Sequence, residues 1–354
     1  MSLRIEFIKA LHGDSILITS ESKQGNIRIL VDGGPEYSFR SREPGEQRDG
    51  HLKRVLDDLR KDNHKIDLVI LTHVDDDHIG GLLKAFEHPD YLSQMANRII
   101  FNSGQLIHEH FNESNISLND ISGNFEGNAD TSISQGASFE NFISRLGLWD
   151  RRLICQSMVY ELLDIKLTFL SPNDKYLRKL LVKWEKEVGL PETSANDTDY
   201  KHSYAELLAS DKFIEDKSIH NGSSLSFILE RNEQRFVFLG DAFPSTIIEG
   251  LRILGYSEEN PLKAELVKIS HHGSKGNTNS ELLKLIDTTE YVVSTDGSRH
   301  GLPNKTTFAR IHAINPEANI LFNYEHLIDE IYSTIEAEEL NGKLHGINRG
   351  LTFE

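Results

Sequence analysis

Two histidines and three aspartates crowd six consecutive positions of the stretch Thr72–Gly81, "THVDDDHIGG". The imidazoles of His73 and His78 and the carboxylates of Asp75 and Asp77 are ligand types for divalent cations, and four such groups in so short a loop can surround one or two ions. A solvated acidic turn has the same composition. This cluster, however, directly follows the apolar run "IDLVIL" and precedes the pair Gly80-Gly81, which lets backbone pass close to a centre. Two other strand-like runs end in the same kind of side chain: Asp241 follows "FVFLG", and His271-His272 follow "ELVKIS". A lone Gly-Asp is commonly just a turn, and a lone histidine pair is ambiguous. Three strand ends that all finish in metal-competent groups point to one shared centre.

Rigid elements must hold those ends. Short strands are predicted over 3–8, 14–18 and 27–32 from their β-branched content, a helix over 51–60 from Leu52, Val55, Leu56 and Leu59, and a buried strand over 65–73 that stops at His73. From about 105 to 215 the character changes: "FNESNISLNDISGNFEGNADTSISQGAS" is rich in Asn, Ser and Gly, and "YLRKLLVKWEKEVGL" reads as a helix with a charged face. Strand-like sequence resumes at "SLSFILE", "RFVFLGDA", "AELVKISHHGS" and "YVVSTDG", with helices at "NSELLKLID" and from Lys305, and the final "GLTFE" is a short strand candidate. The expected division is 1–105 as one half of a layered α/β (α+β) fold, 106–215 as an insertion or cap, and 216–354 as the other half.

Bulk properties narrow the function. With 354 residues, 38% of them hydrophobic, the chain can bury a substantial core. Its single cysteine, Cys155, excludes an internal disulfide and a cysteine-cluster metal site, so His, Asp and Glu must supply any ligands. The net charge of −17, from 55 acidic against 38 basic residues, opposes non-specific attraction to nucleic acid or anionic lipid. No run of eighteen apolar residues and no leader pattern occurs, which makes a cytoplasmic protein with no membrane partner the expectation.

The ordered set "VDGG", "THVDDDHIGG", "FLGDA" and "SHHGS" resembles the metallo-β-lactamase superfamily, and "LHGDSILI", "NGSSLSFILE" and "STDGSRHGLP" resemble its branch of ComEC-like competence-protein hydrolase domains and their soluble relatives. The resemblance spans roughly residues 3–105 and 218–312. It implies an αββα sandwich with a central insertion and a metal site at one edge holding two divalent ions, zinc or manganese. On it, His73 binds the first ion, and Asp77 and His78 the second. Asp241 bridges both, and His271 closes the second site. Asp75 stands where many members have histidine, a feature of this branch, and favours harder ions such as Mn²⁺ while keeping Zn²⁺ possible. His220 stands where other members place the remaining histidine of the first site, and Asp32 would orient a ligand from behind.

The implied chemistry is hydrolysis by a bridging hydroxide, with His272 as proton donor or transition-state contact and Ser274 only a loop hydrogen-bonder. A phosphodiester in nucleic acid or a nucleotide is the expected substrate; thioesters, lactones and other esters remain open. Lys268, Lys275, Arg299 and Lys305 lie near the motifs as a candidate basic rim, set against scattered solvated lysines. One departure stands out: the branch carries histidine before proline where this chain has Leu302-Pro303, with His300 two residues earlier. That departure, and an insertion able to meet a protein partner, keep a non-catalytic metal- or nucleotide-binding regulatory module as the alternative.

Overall fold

In "LRIEF" the side chains of Leu3, Ile5 and Phe7 are buried while Arg4 faces solvent, the period of two that a half-buried strand demands. The computed structural model describes residues 2–23, 25–40, 49–111, 131–186, 197–348 and 350–354. The first sheet contains β1 (Leu3–Phe7), β2 (Ile16–Ser22), β3 (Gly25–Val31), β4 (Leu68–Ile70), β5 (Ile99–Ile100) and β16 (Leu351–Phe353), in the order β16-β1-β2-β3-β4-β5. It is antiparallel from β16 to β3 and parallel from β3 to β5.

The second sheet contains β6 (Val159–Leu162), β7 (Ile165–Ser171), β8 (Ser226–Arg231), β9 (Gln234–Phe238), β11 (Leu266–Lys268), β13 (Glu290–Val293), β14 (Asn319–Phe322) and β15 (Leu344–Gly346). Its order is β15-β14-β13-β11-β9-β8-β7-β6, antiparallel through β6–β9 and parallel from β9 to β15. A separate parallel pair joins β10 (Leu262–Lys263) to β12 (Ile286–Asp287).

Three apolar layers hold this arrangement together. Ile5, Ile18, Ile29 and Ile70 of the first sheet meet Leu167, Phe227, Leu229 and Phe236 of the second. Outside the first sheet, the helices His51–Lys61, Asp76–Glu87 and Thr131–Leu146 cover Leu30, Val69 and Leu71, with Phe86 and Phe139 in edge contact at 5.4 Å between ring centroids. Outside the second, Pro244–Ile253 and Lys305–Ile314 cover Val237, Val267 and Phe322. Each sheet is thus buried on both faces, giving the helix–sheet–sheet–helix sandwich that the resemblance implies.

The expected boundaries do not follow the layers. Residues 106–215 include β6 and β7, which form the edge of the second sheet, and Thr131–Leu146, which packs in the first helical layer; the segment is therefore not one separate cap. The physical reason is pattern: "IKLTFLS" is a two-face-buried strand paired with β8 over its full length, and its turn-rich flanks masked it. The last strand, β16, leaves the second half and pairs with β1. Residues 112–130, at the heart of the Asn/Ser/Gly-rich stretch, and 187–190, the end of the expected helix that is observed as Asp174–Lys186, lie outside the described residues.

Candidate metal centre

At the end of β3, Asp32 adopts a left-handed backbone (φ 55°) that turns its carboxylate across to β4. Its Oδ1 accepts from the Thr72 backbone N–H at 2.8 Å, and its Oδ2 accepts from the Thr72 hydroxyl at 2.7 Å and faces His78 Nδ1 at 2.8 Å. With that hydroxyl proton committed to Asp32, Thr72 Oγ1 is left to accept from His73 Nδ1, 3.0 Å away. In their neutral form both imidazoles are thereby held in the tautomer whose Nε2 carries a lone pair, and both Nε2 atoms face Asp241. Asp75 occupies the N-cap position of the helix Asp76–Glu87 without capping it; its carboxylate instead lies 2.6 Å from His220 Nδ1 and 3.5 Å from His73 Nε2.

The second sheet supplies the opposite wall. Asp241 follows β9, its backbone N–H donating to Ser224 Oγ at 3.1 Å. Four imidazole nitrogens converge on its Oδ2: His78 Nε2 at 3.5 Å, and His73, His271 and His272 Nε2 each at 3.8 Å. His271 and His272 both sit in the left-handed region (φ 47° and 53°), a conformation that costs roughly 1–2 kcal/mol per non-glycine residue and clusters at functional sites. His272 is fully buried, with Nδ1 at 2.9 Å from the Ser294 carbonyl and Nε2 at 3.2 Å from Asp77 Oδ2. His271 is the outer member of the pair, its side chain 24% exposed and its Nδ1 beside Asn277 Oδ1 at 2.9 Å and Asp216 Oδ2 at 3.3 Å.

The side chains predicted to bind metal therefore come together. His73, Asp75 and His220 lie at one end, and Asp77, His78 and His272 at the other. Asp241 lies between them, with His271 at the edge. His73 Nε2, His78 Nε2 and Asp241 Oδ1 are buried and have no hydrogen-bond partner among the described residues. Buried polar atoms are normally satisfied; lone pairs turned toward a common centre are what a divalent cation requires, so this donor set fits the ions the resemblance implies.

Electrostatics agree with that fit. Burial alone would neutralise these groups. Against burial, the His78 charge and the His272 hydrogen bond bring Asp77 down to about 2, and His78, His271 and His272 hold Asp241 far below the carboxylate range. Burial is the largest single influence and lowers the histidines too, yet the neighbouring carboxylates together outweigh it: Asp241 and Asp216 raise His271 to about 9, and Asp241, Asp14 and Asp77 raise His272 to about 10. Without metal these imidazoles carry protons at neutral pH, and a metal ion must displace them.

Several placements differ from expectation. Gly80-Gly81 does not open space at the centre: a Cβ on Gly81 would lie 2.1 Å from the Gly33 carbonyl oxygen, so these glycines let the helix seat against the Gly33-Gly34 turn. The basic rim is reduced, because Lys268 is buried against Asp14 and Lys305 is buried against Glu336 and the Tyr200 carbonyl, leaving Lys275 and Arg299 exposed. Leu302 is buried, whereas His300 interacts electrostatically with Asp77, His271 and His272. Ser274 Oγ accepts from the Gly276 N–H, the loop role expected of it.

Sequence reasoning missed Asp14. It joins His78, Asp241 and His272 in a buried group whose ligand atoms all lie within 4.8 Å of one another, its Oδ1 being 3.6 Å from His272 Nδ1. Its signal was present in "LHGDSILI", a strand entry with an acid. A surface groove of about 700 Å³ between Tyr200, Glu206, Tyr332 and Glu336 contains none of these residues.

No curated protein matches this chain. Among solved structures, similar backbones include the diiron β-hydroxylase CmlA from Streptomyces venezuelae (12% identity, TM-score 0.41, covering 99% of this chain and 54% of that one). Zn²⁺-bound PqqB from Methylobacterium extorquens gives 14% identity and a TM-score of 0.40 with full coverage of both chains. A diphosphatase of the PhnP family gives 11% and 0.41, covering 100% of this chain and 97% of that one. The chain spans about half the length of the β-hydroxylase. The family model described as "Metallo-beta-lactamase superfamily" matches residues 8–141. The matched stretch carries Asp14, Asp32, His73, Asp75, Asp77 and His78.

Proposed function

We propose that the protein is a metal-dependent hydrolase of phosphoesters, with a phosphodiester in a nucleotide or short nucleic acid as the substrate class. The carrying observation is the convergence of four imidazole Nε2 atoms within 3.8 Å of the Asp241 carboxylate. His73, Asp75, His220 and Asp241 would hold one ion, and Asp77, His78, His272 and Asp241 the other. Two divalent ions in such a donor set supply Lewis acidity at a substrate oxygen and make water acidic enough to act near neutral pH.

The chain's own groups do the rest. Asp32 and Thr72 fix the His73 and His78 tautomers, and the Ser294 carbonyl fixes that of His272. Because His272 is buried, with Nδ1 held by the Ser294 carbonyl and Nε2 turned toward Asp77 and Asp241, the ligand role suits it, and the more exposed His271 takes over the proton-donor role at the substrate edge; this exchanges the parts the sequence suggested. Asp75 and Asp14 make the site oxygen-rich, which favours testing Mn²⁺ before Zn²⁺. The net charge of −17 and the burial of Lys268 and Lys305 favour a small or short substrate over a long duplex.

The test is metal analysis with turnover. Purified protein should carry about two Mn²⁺ or Zn²⁺ ions and hydrolyse phosphodiesters in a metal-dependent manner, and Asp241→Ala should lose metal and at least about 100-fold in rate. If wild type and Asp241→Ala both hold metal and are equally inert on phosphodiester and ester panels, the protein is a binding module and the hydrolase reading falls.

A further inference from the structure

The metal-competent side of the site is rich in carboxylates; the side facing it adds the nitrogen donors His12, Arg299 and His300 beside Asp296. Gly13 brings the Leu11–Asp14 turn into backbone contact with the metal-binding loop, since a Cβ there would lie 1.9 Å from the Asp77 carbonyl oxygen, which the Asp14 N–H meets at 3.1 Å. This wedge places His12 beside the site: it is partly buried, interacts electrostatically with Asp77, Arg299, His272 and Asp296, and its Nδ1 is buried without a hydrogen-bond partner among the described residues.

A second loop, 296–304, is tied to the first by the Asp296 N–H donating to the Leu11 carbonyl at 2.8 Å, and to the histidine turn by the Asn304 N–H donating to the Gly273 carbonyl at 3.0 Å. It carries Arg299 and His300, both exposed, and both in electrostatic reach of His12 or of Asp77 and His272. Arg299 has no carboxylate at ion-pair distance among the described residues. His300 adopts a left-handed backbone (φ 59°), a region that histidine enters more readily than most residues.

We propose that His12 and Arg299, flanked by His300, form an anion-recognition wall that holds the phosphate oxygens of the substrate turned away from the metal-competent residues. Arginine presents paired N–H donors to phosphate and imidazole adds another, so the wall takes a group with several anionic oxygens and discriminates against an uncharged ester. The inference rests on the hydrolase reading and names which substrates that site accepts.

Inorganic phosphate is the probe, titrated calorimetrically into Mn²⁺-loaded full-length protein. Loss of one hydrogen bond to a charged group predicts affinity about tenfold weaker in Arg299→Ala and in His12→Ala. Near-wild-type affinity is expected in His12→Gln, which keeps a donor, and metal content should be unchanged in all three. Unchanged phosphate affinity in both alanine variants overturns the wall, as does a parallel loss of bound metal, which would make the effect structural. The two readings fail separately. Arginine-dependent phosphate binding without phosphoester turnover sinks the hydrolase and keeps the wall. Turnover with phosphate affinity and KM both indifferent to Arg299→Ala and His12→Ala does the reverse.

Discussion

Carboxyls are buried in two places in this molecule, and they behave oppositely. At the sheet edges Asp14, Asp77 and Asp241 are held below the usual carboxylate range, because Lys268 and the surrounding imidazoles offset a large burial penalty. In the outer helical layer Glu140, on the helix Thr131–Leu146, accepts from the Ser103 hydroxyl at 2.8 Å and from the Gln105 backbone N–H, with no cation in contact among the described residues, and burial lifts it to about 7. Burial opposes ionisation in both places; convergence of opposite charge decides whether the carboxylate stays ionised. The first region thus keeps its carboxylates ionised beside protonated imidazoles, whereas in the second the carboxyl itself holds the proton up to about pH 7.

The strongest way to break the contrast is to remove the charge beneath the site. Lys268→Met leaves Asp14 buried without its partner and should cost about 3–5 kcal/mol of stability by denaturant titration, with Asp14→Asn in the same chain restoring a large part. If the single change costs nothing, the pair does not hold Asp14 ionised. Next comes Glu140→Gln. The folded protein holds the Glu140 proton more tightly than the unfolded chain, so its contribution is fully present below about pH 4.5 and is lost as pH rises through about 7. The variant should therefore gain up to about 3 kcal/mol relative to wild type at pH 8 and almost nothing at pH 4. A pH-independent difference between the two would remove the burial argument. The smallest effect is expected from Asp32→Asn, which loosens His78 and Thr72 without touching a ligand position; metal affinity measured by competition with a chelator should fall about 10- to 100-fold, with the fold intact by circular dichroism.

Much of the site was legible because its first half is local. In "THVDDDHIGG" one strand end and one helix start present His73, Asp75, Asp77 and His78 within a single turn, so spacing alone disclosed them. Asp241 and the His271-His272 pair were legible as strand ends. Asp14 was not, because a single acid before a strand gains meaning only when Lys268, 254 residues away, and His272 close on it. The ranking of His271 and His272 was equally hidden, since adjacent identical residues differ only in what surrounds them: one meets Ser294, the other Asn277 and Asp216. The place of "IKLTFLS" was missed for a related reason, as pairing partners decide whether an apolar run is a sheet edge or part of a cap.

The sequence by itself determined the kinds of atoms available: imidazole and carboxylate, no thiol cluster, and an aspartate at position 75 that makes the centre richer in oxygen. It also determined that these groups would sit at strand ends, because hydrophobic runs stop where they begin. Only the tertiary structure decided that two sheets bring those ends within 3.8 Å of one carboxylate, which histidine lies deepest, and that Lys268 and Lys305 are buried supports rather than a rim. The physical reason is that charge interactions depend on distance and burial, and neither quantity exists until the layers have packed.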